Sequence, residues 1–229
     1  MSLKLVSSFY GENMGGRGAS SGRGHSTSGG GRTIQFHDVT QRFKGMNVHD
    51  FENAIRDYKT EYAGVFDKNG VLIQAVTSGK QGSTAIPPSV STASTLTHNH
   101  PYHGDRRVGG TFSEADITIL GKYSNLDSMR VSTNGVHENT YIMRKGQNAN
   151  PVKLKVVAEK SRHGGRGSMR DIGEKALAKH AANMKKKGYS DVEIANKKKQ
   201  LYLGPMKQYW KTNAEKAGYE YIEVKTAHW

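Results

Sequence analysis

The chain has 229 residues, of which 34 are lysine or arginine and 20 are aspartate or glutamate, so its formal net charge is +14. This length suits one core of ordinary size with extensions, and the basic excess suggests a polyanionic partner. The absence of cysteine excludes disulfides and thiolate metal sites, so any metal must be held by His, Asp or Glu.

Apolar stretches in the chain are too short to span a bilayer, and residues 1–10 lack the apolar region and cleavage pattern of a signal peptide. We therefore expect no membrane partner and no secretion by a signal peptide. Residues 15–32 form a Gly/Ser/Arg-rich tract that cannot offset its ordering entropy by burial. Residues 1–32 are predicted to be a flexible N-terminal arm, either for docking or for contact with nucleic acid.

The central part, residues 33–148, begins with a predicted strand at residues 33–39 and continues with a helix. Asn47 is a suitable N-cap, and apolar residues recur after it at helical spacing. These apolar residues are Val48, Phe51, Ile55 and Tyr58. We expect this side of the helix to pack on a sheet.

A hairpin is predicted from two strands at residues 61–66 and 71–76. They are joined by Asp67-Lys68-Asn69-Gly70, in which Asn-Gly supplies the residues that tolerate a positive φ. The polar segment 79–91 contains two adjacent prolines, so it is predicted to be a loop over the sheet.

His98 and His100 lie on the next predicted strand, residues 96–100. Alternate residues of a strand project from one face, so the two imidazoles can reach one metal ion together. Ser113 opens a predicted helix that runs to about Tyr123, and Asp116 lies one turn inside it. Its carboxylate could be a third ligand, which would leave a fourth position for water.

These residues also have interpretations that need no metal. Ser113 and Asp116 form an acidic version of the capping box, which is compatible with a metal-binding role. The two histidines could be solvated loop residues.

Strands at residues 129–133 and 140–144 follow the helix that Ser113 opens. The order of elements predicts a mixed α/β sheet flanked by helices.

Three segments carry a family resemblance: Glu61 at a strand start, His98-x-His100-Pro101, and Ser113-x-x-Asp116 at a helix start. Together they resemble the signature of the JAB/MPN, or JAMM, metalloprotease domain, with the elements in the same order. The RadC-like branch and the JAB domains of phage morphogenesis proteins are particularly similar. The resemblance covers residues 48–144 and implies a JAB/MPN-like (cytidine-deaminase-like) mixed sheet flanked by helices.

The resemblance implies that His98, His100 and Asp116 bind Zn²⁺. Glu61 would be the general base for the zinc-activated water, and Ser113 would stabilise the developing oxyanion. The chain would then be a zinc metallopeptidase or isopeptidase-like hydrolase encoded by a phage or prophage, acting in the bacterial host cytoplasm or in the virion.

Several alternatives stay open beside this interpretation. Glu61 could be an exposed acid at a strand edge, with Asp57 or Glu52 as the base instead. The twelve residues between His100 and Ser113 exceed the usual spacing of the family and lie beside the expected substrate cleft. The chain could also be a phage structural protein that keeps the fold without catalysis, or a nucleic-acid-associated factor of the RadC-like kind.

The C-terminal part, residues 149–229, is basic and predicted to be mainly helical. Helices are expected at residues 171–187, from Ser190 to about residue 203, and from Pro205 to Gly218. Residues 164–167 are a predicted hinge, and residues 219–224 a strand that returns to the sheet or pairs with another chain. Two lysine clusters are solvated helix faces or contacts for nucleic acid or an acidic protein: Lys185, Lys186, Lys187, Lys197, Lys198 and Lys199.

Overall fold

The computed structural model of the protein describes residues 4–5, 36–79, 84–101, 111–134, 139–162 and 169–225. Almost all of the predicted N-terminal arm, most of the segment between His100 and Ser113, and the predicted hinge at 164–167 lie outside these residues. Within the described part, no helix combines the length and the apolar character that crossing a bilayer would require.

Nine strands and five α-helices make up the described fold. The strands are β1 (Lys4–Leu5), β2 (His37–Asp38), β3 (Tyr62–Phe66), β4 (Leu72–Thr77), β5 (Thr84–Ala85), β6 (Thr95–His100), β7 (Ser128–Thr133), β8 (Asn139–Lys145) and β9 (Tyr219–Lys225). The α-helices are α1 (Val48–Arg56), α2 (Glu114–Lys122), α3 (Pro151–Arg162), α4 (Met169–Lys186) and α5 (Asp191–Lys216). Short 3-10 helices cover Thr40–Phe43 and Pro88–Thr92.

Seven of the strands form one sheet in the order β2-β4-β3-β6-β7-β8-β9, while β1 and β5 form a separate pair. Strands β6 and β7 run parallel, and the other neighbouring strands of the large sheet are antiparallel. The expected mixed sheet is therefore confirmed, and β6 lies at its centre between β3 and β7.

Helix α1 covers one face of this sheet. The side chain of Asn47 accepts a hydrogen bond from the Asp50 N–H at 3.0 Å, which confirms the predicted N-cap. Phe51 and Ile55 are fully buried in a cluster with Phe43, Phe66 and Ala75. The predicted apolar side of the helix is thus the side that packs on the sheet.

The larger core lies on the opposite face, because Ala63 and Val65 of β3 belong to it whereas Tyr62 packs against the α1 cluster. Helices α2, α3 and α5 supply this second layer. Their buried contributions are Ile117 and Leu120 from α2, Leu154 and Ala158 from α3, and Tyr209, Trp210 and Ala214 from α5. Helices on both faces of one mixed sheet agree with the general α/β class that was expected.

The β3–β4 hairpin forms as predicted, but the residues that stabilise its turn differ from those expected. Among the described residues only glycines have a positive φ, so Gly70 (φ +77°) adopts this conformation and Asn69 does not. The carboxylate of Asp67 instead accepts the N–H groups of Asn69 and Val71 at 2.8 and 2.9 Å. The strand register shifts beside this turn, as in a bulged hairpin that ends in a left-handed glycine.

The C-terminal region departs from prediction in two places. Helix α5 runs unbroken from Asp191 to Lys216, so the predicted helix boundary at Gly204-Pro205 is wrong. Proline removes only one helical hydrogen bond, and Leu203 before it and Tyr209 after it are both buried, which holds the helix on either side. Helix α3 was not predicted, because lysines interrupt its apolar pattern.

Strand β9 returns to the sheet and pairs antiparallel with β8, from Asn139 opposite Lys225 to Lys145 opposite Tyr219. The first of the two alternatives for this strand is therefore confirmed. The last part of the chain completes the same sheet that carries His98 and His100.

Candidate metal centre

His98 and His100 occupy the central strand of the sheet. Strand β6 bonds to β3 on one side and to β7 on the other, so its backbone is fixed along both edges. The two imidazoles project from one face, with their ring centres 4.8 Å apart, and both are buried. Their Nε2 atoms lie 3.1 Å from each other.

Asp116 reaches the histidines from the first turn of α2. Ser113 is the N-cap of this helix, and its hydroxyl oxygen accepts the Asp116 N–H at 3.3 Å. In return, Oδ2 of Asp116 accepts the Ser113 N–H at 2.7 Å. The predicted capping box is confirmed, and it fixes Oδ2 of Asp116 while Oδ1 lies beside His98.

The distances among the three side chains suit a bound metal ion. Nε2 of His98 is 3.2 Å from Oδ1 of Asp116, and Nε2 of His100 is 3.8 Å from Oδ2. All three ligand atoms lie within 4.8 Å of one another. Two ligand atoms on a tetrahedral zinc ion stand about 3.3 Å apart, given zinc–nitrogen bonds of about 2.0–2.1 Å.

Two buried atoms of this group make no hydrogen bond among the described residues: Oδ1 of Asp116 and Nδ1 of His98. A carboxylate oxygen that is buried without a hydrogen bond costs free energy unless a cation stands beside it. Oδ1 of Asp116 has Nε2 of His98 beside it at 3.2 Å, so a cation held between these two atoms would contact both. We conclude that His98, His100 and Asp116 form a group that could bind a metal ion.

The carboxylates and imidazoles of the group shift each other's pKa. Burial acts to lower the pKa of His98, but the nearby carboxylates of Asp116 and Glu61 outweigh it, so the pKa of His98 is raised above its usual range. Burial acts to raise the pKa of Asp116, yet the imidazoles of His98 and His100 hold it below the usual range. An anionic carboxylate thus faces the two rings, as a cation site requires.

Glu61 lies beside these ligands and is completely buried. The ladder between β3 and β6 ends at Ala63 opposite His98, two residues beyond Glu61 in the chain, and the Glu61 carboxylate is near enough to His98 to raise the pKa of that imidazole. The interpretation of Glu61 as an exposed strand-edge acid is therefore wrong.

The two suggested substitutes for Glu61 have other partners. Glu52 belongs to α1 on the other side of the sheet, where its carboxylate takes two bonds from Arg130 at 2.6 and 2.9 Å. Asp57 caps the C-terminus of α1, and its carboxylate accepts a bond from the Asn134 amide at 3.4 Å. Of the three candidate bases, Glu61 is the one whose carboxylate acts on the pKa of His98.

Sequence reasoning overlooked Asn99, the buried residue between the two histidines. Its side chain points to the opposite face, where Oδ1 accepts the Tyr62 N–H at 2.7 Å. Its Nδ2 donates to the carbonyls of Thr60 and Tyr58 at 3.1 and 3.4 Å. Asn99 therefore ties the segment that carries Glu61 to the strand that carries the ligands. An asparagine inside a strand is unfavourable on propensity, which was the available signal.

The lysine clusters lie on the C-terminal helices. Lys186 and Lys187 are exposed at the end of α4, while Lys185 pairs with Asp191 at 3.2 Å. Lys197, Lys198 and Lys199 lie in α5, and their side chains are outside the described part.

Comparison of the chain with protein families, with curated proteins and with solved structures finds no match. The JAB/MPN resemblance therefore remains a prediction carried by Glu61, the two histidines and the Ser113–Asp116 pair.

Proposed function

We propose that the protein is a zinc-dependent hydrolase that cleaves peptide or isopeptide bonds, with His98, His100 and Asp116 as the metal ligands. The observation that carries the proposal is the buried convergence of two imidazoles and one carboxylate within 4.8 Å. A second buried carboxylate, Glu61, lies near enough to His98 to raise the pKa of its imidazole. The JAB/MPN resemblance and a phage or prophage origin belong to the same proposal.

The donor set matches zinc, and the carboxylate beside it favours hydrolysis. A cysteine-free site of two imidazoles and one carboxylate matches catalytic zinc sites, in which three protein ligands leave the fourth position for water or substrate. The same set of donors also binds Fe(II) in oxygenases, which leave several positions open for their substrates. A second buried carboxylate beside the ligands favours hydrolysis, because this reaction needs a base that accepts a proton from water.

A bound zinc ion would supply a water of lowered pKa and would polarise the carbonyl of the scissile bond. Glu61 accepts the proton of the attacking water and delivers it to the leaving amine. The Ser113 oxygen already accepts the Asp116 N–H, so its hydroxyl hydrogen is left to donate to the developing oxyanion. Such a donor contributes about 3 kcal/mol to stabilising the transition state.

The alternative is a phage structural protein, or a nucleic-acid-associated factor, that retains the same fold without catalysis. Exposed lysines at the end of α4 support contact with nucleic acid. The two roles differ in their dependence on Glu61, since a protein without turnover tolerates Glu61→Gln. Duplex DNA binding centred on the lysines would instead weaken steeply with salt.

The experiment begins with the metal content of purified protein by mass spectrometry, for wild type and for His98→Ala/His100→Ala. We expect about one zinc per wild-type chain and none in the double variant. Peptide and isopeptide libraries then compare wild type with Glu61→Gln. Glu114→Gln, the same change in the first turn of α2, is the control that keeps activity. A folded wild type that takes up no zinc when zinc is supplied overturns the proposal.

A further inference from the structure

Trp210, on α5, is completely buried and donates one hydrogen bond far from its own helix. Its indole Nε1 donates to the carbonyl oxygen of Phe112 at 3.0 Å, across a separation of 98 residues. Phe112 is also fully buried and directly precedes the Ser113 N-cap. The C-terminal region therefore contacts the backbone at the start of the helix that carries Asp116.

The acceptor of Trp210 and the donor to Asp116 belong to one peptide group. The carbonyl of Phe112 accepts from Trp210, and the N–H of Ser113 in the same amide plane donates to Oδ2 of Asp116 at 2.7 Å. Bonds at the two ends of one amide polarise each other, so each strengthens the other in a buried setting. Trp210 and Asp116 are thus linked through a single rigid plane.

We propose that Trp210 is a positioning residue for the metal ligand Asp116. By holding the Phe112–Ser113 peptide, the indole fixes the bond to Oδ2 and leaves Oδ1 directed at His98, 3.2 Å away. The inference rests on the proposed metal site and adds the C-terminal region to it. The metal centre then needs residues from both the central and the C-terminal part of the chain.

Tyr209 offers a matched comparison for Trp210. Tyr209, the neighbour of Trp210 on the same helix, also donates to a backbone carbonyl, that of Val157 on α3, at 2.8 Å. That bond anchors α5 in the same layer, and its acceptor lies on α3 and not beside a ligand. Substitutions at Tyr209 and at Trp210 therefore distinguish a loss of helix anchoring from a loss of Asp116 positioning.

Loss of the indole donor should weaken metal binding beyond any loss of stability. Hydrogen-bond partners that orient metal ligands typically contribute about 10-fold to 100-fold to metal affinity. A variant that is merely less stable, yet remains folded, keeps its affinity, because apparent affinity falls only in proportion to the competent fraction.

The test measures zinc dissociation constants by competition with a chromophoric chelator, for wild type, Trp210→Phe and the control Tyr209→Phe. Circular dichroism establishes a temperature at which all three are folded. We expect zinc to bind about 10-fold to 100-fold more weakly to Trp210→Phe and equally to Tyr209→Phe. The visible spectrum of the cobalt-substituted protein should change only for Trp210→Phe, because its ligand geometry changes.

If Trp210→Phe does not fold, benzothienylalanine at position 210 keeps the indole shape and replaces the N–H by sulfur. Affinities and cobalt spectra equal to wild type would overturn the positioning role while the metal site stands. Equal losses in both variants would overturn it as well, since anchoring alone would explain them. A wild type that binds no zinc would overturn both the site and the positioning role.

Discussion

The side chain of Asn99 takes over from the backbone at the point where β3 and β6 stop pairing, by accepting the N–H of Tyr62 at 2.7 Å. The last ladder pair between the two strands is Ala63 opposite His98. Beyond it the chain must reach Glu61 without a regular ladder. The Asn99 amide supplies the missing partner and keeps Glu61 in line with the ligands.

Asn99→Ala should lower hydrolysis far more than zinc binding, because it releases the segment that carries Glu61 while leaving both imidazoles in place. It also removes the partner of partly buried backbone groups, at a cost of about 1–3 kcal/mol in unfolding free energy. The measurement combines zinc content, urea unfolding and turnover of a substrate found in the library. Asn125→Ala is the control, since Asn125 likewise bonds two carbonyls, at 2.8 and 2.6 Å. Equal activity in the two variants would contradict the prediction.

Glu52→Ala should destabilise the protein by about 3–5 kcal/mol, because it leaves the partly buried Arg130 without its buried partner. Thr97 also loses its acceptor, at 2.8 Å. Zinc binding by the folded fraction should not change, since Glu52 lies on the opposite face of the sheet. Arg144→Ala is the comparison, because it removes the exposed ion pair between Arg144 and Glu220. We expect it to lower the unfolding free energy by less than about 1 kcal/mol. Similar unfolding midpoints in denaturant for the two variants would refute this ranking.

Gly218→Ala should be among the most damaging single changes outside the metal centre. Gly218 has φ +78°, and a Cβ there would stand 2.2 Å from the Asn148 carbonyl oxygen. Gly188 has a similar φ of +82° with open space around it, so Gly188→Ala carries the backbone strain alone. Thermal melting should place Gly218→Ala well below Gly188→Ala. Matching melting temperatures would mean that the backbone at residues 146–149 moves aside freely.

Zinc should raise the melting temperature of the apo protein in a concentration-dependent way, because it binds only the folded arrangement of the ligands. At a free zinc concentration about 100 times the dissociation constant, the free energy of unfolding rises by about 2.7 kcal/mol. Differential scanning calorimetry with and without chelator measures it, and His98→Ala/His100→Ala should lose the response. A zinc response that survives in the double variant would point to binding elsewhere.

Acidification should weaken zinc binding, beginning at a higher pH than for an ordinary imidazole. The pKa of His98 is raised because the neighbouring carboxylates outweigh its burial, so protons compete with the metal earlier as the pH falls. Asp116 does not compete at that stage, because its pKa is lowered by the imidazoles. Chelator competition at steps from about pH 8 to about pH 5.5 follows the change. A constant affinity over this range would be inconsistent with His98 as a ligand.

Local patterns predicted most elements of the sheet and the helices on both faces. Asn47, Ser113 and Ser190 marked helix starts because capping depends on a few adjacent residues, and all three caps form. The histidine pair was predictable for the same reason, since residues two apart on a strand share a face.

Relations between distant segments were not predictable in the same way. The Asn99 amide bonds residues about forty positions earlier, and Trp210 bonds a carbonyl 98 positions earlier. The error at Pro205 has a similar origin, because burial of Leu203 and Tyr209 overrides a local helix-breaking signal. Such contacts depend on how layers stack, which periodicity along the chain does not encode.

The pairing of β9 with β8 has a consequence for synthesis of the protein. Until residues 219–225 have left the ribosome, β8 presents an unpaired edge and the apolar face beneath α5 is uncovered. Strand pairing over such a long stretch of chain is slow and leaves this surface open in the meantime. A nascent chain that stops after residue 148 therefore carries both histidines and Asp116. It also exposes the unpaired edge of β8, to which strands of other chains can bind.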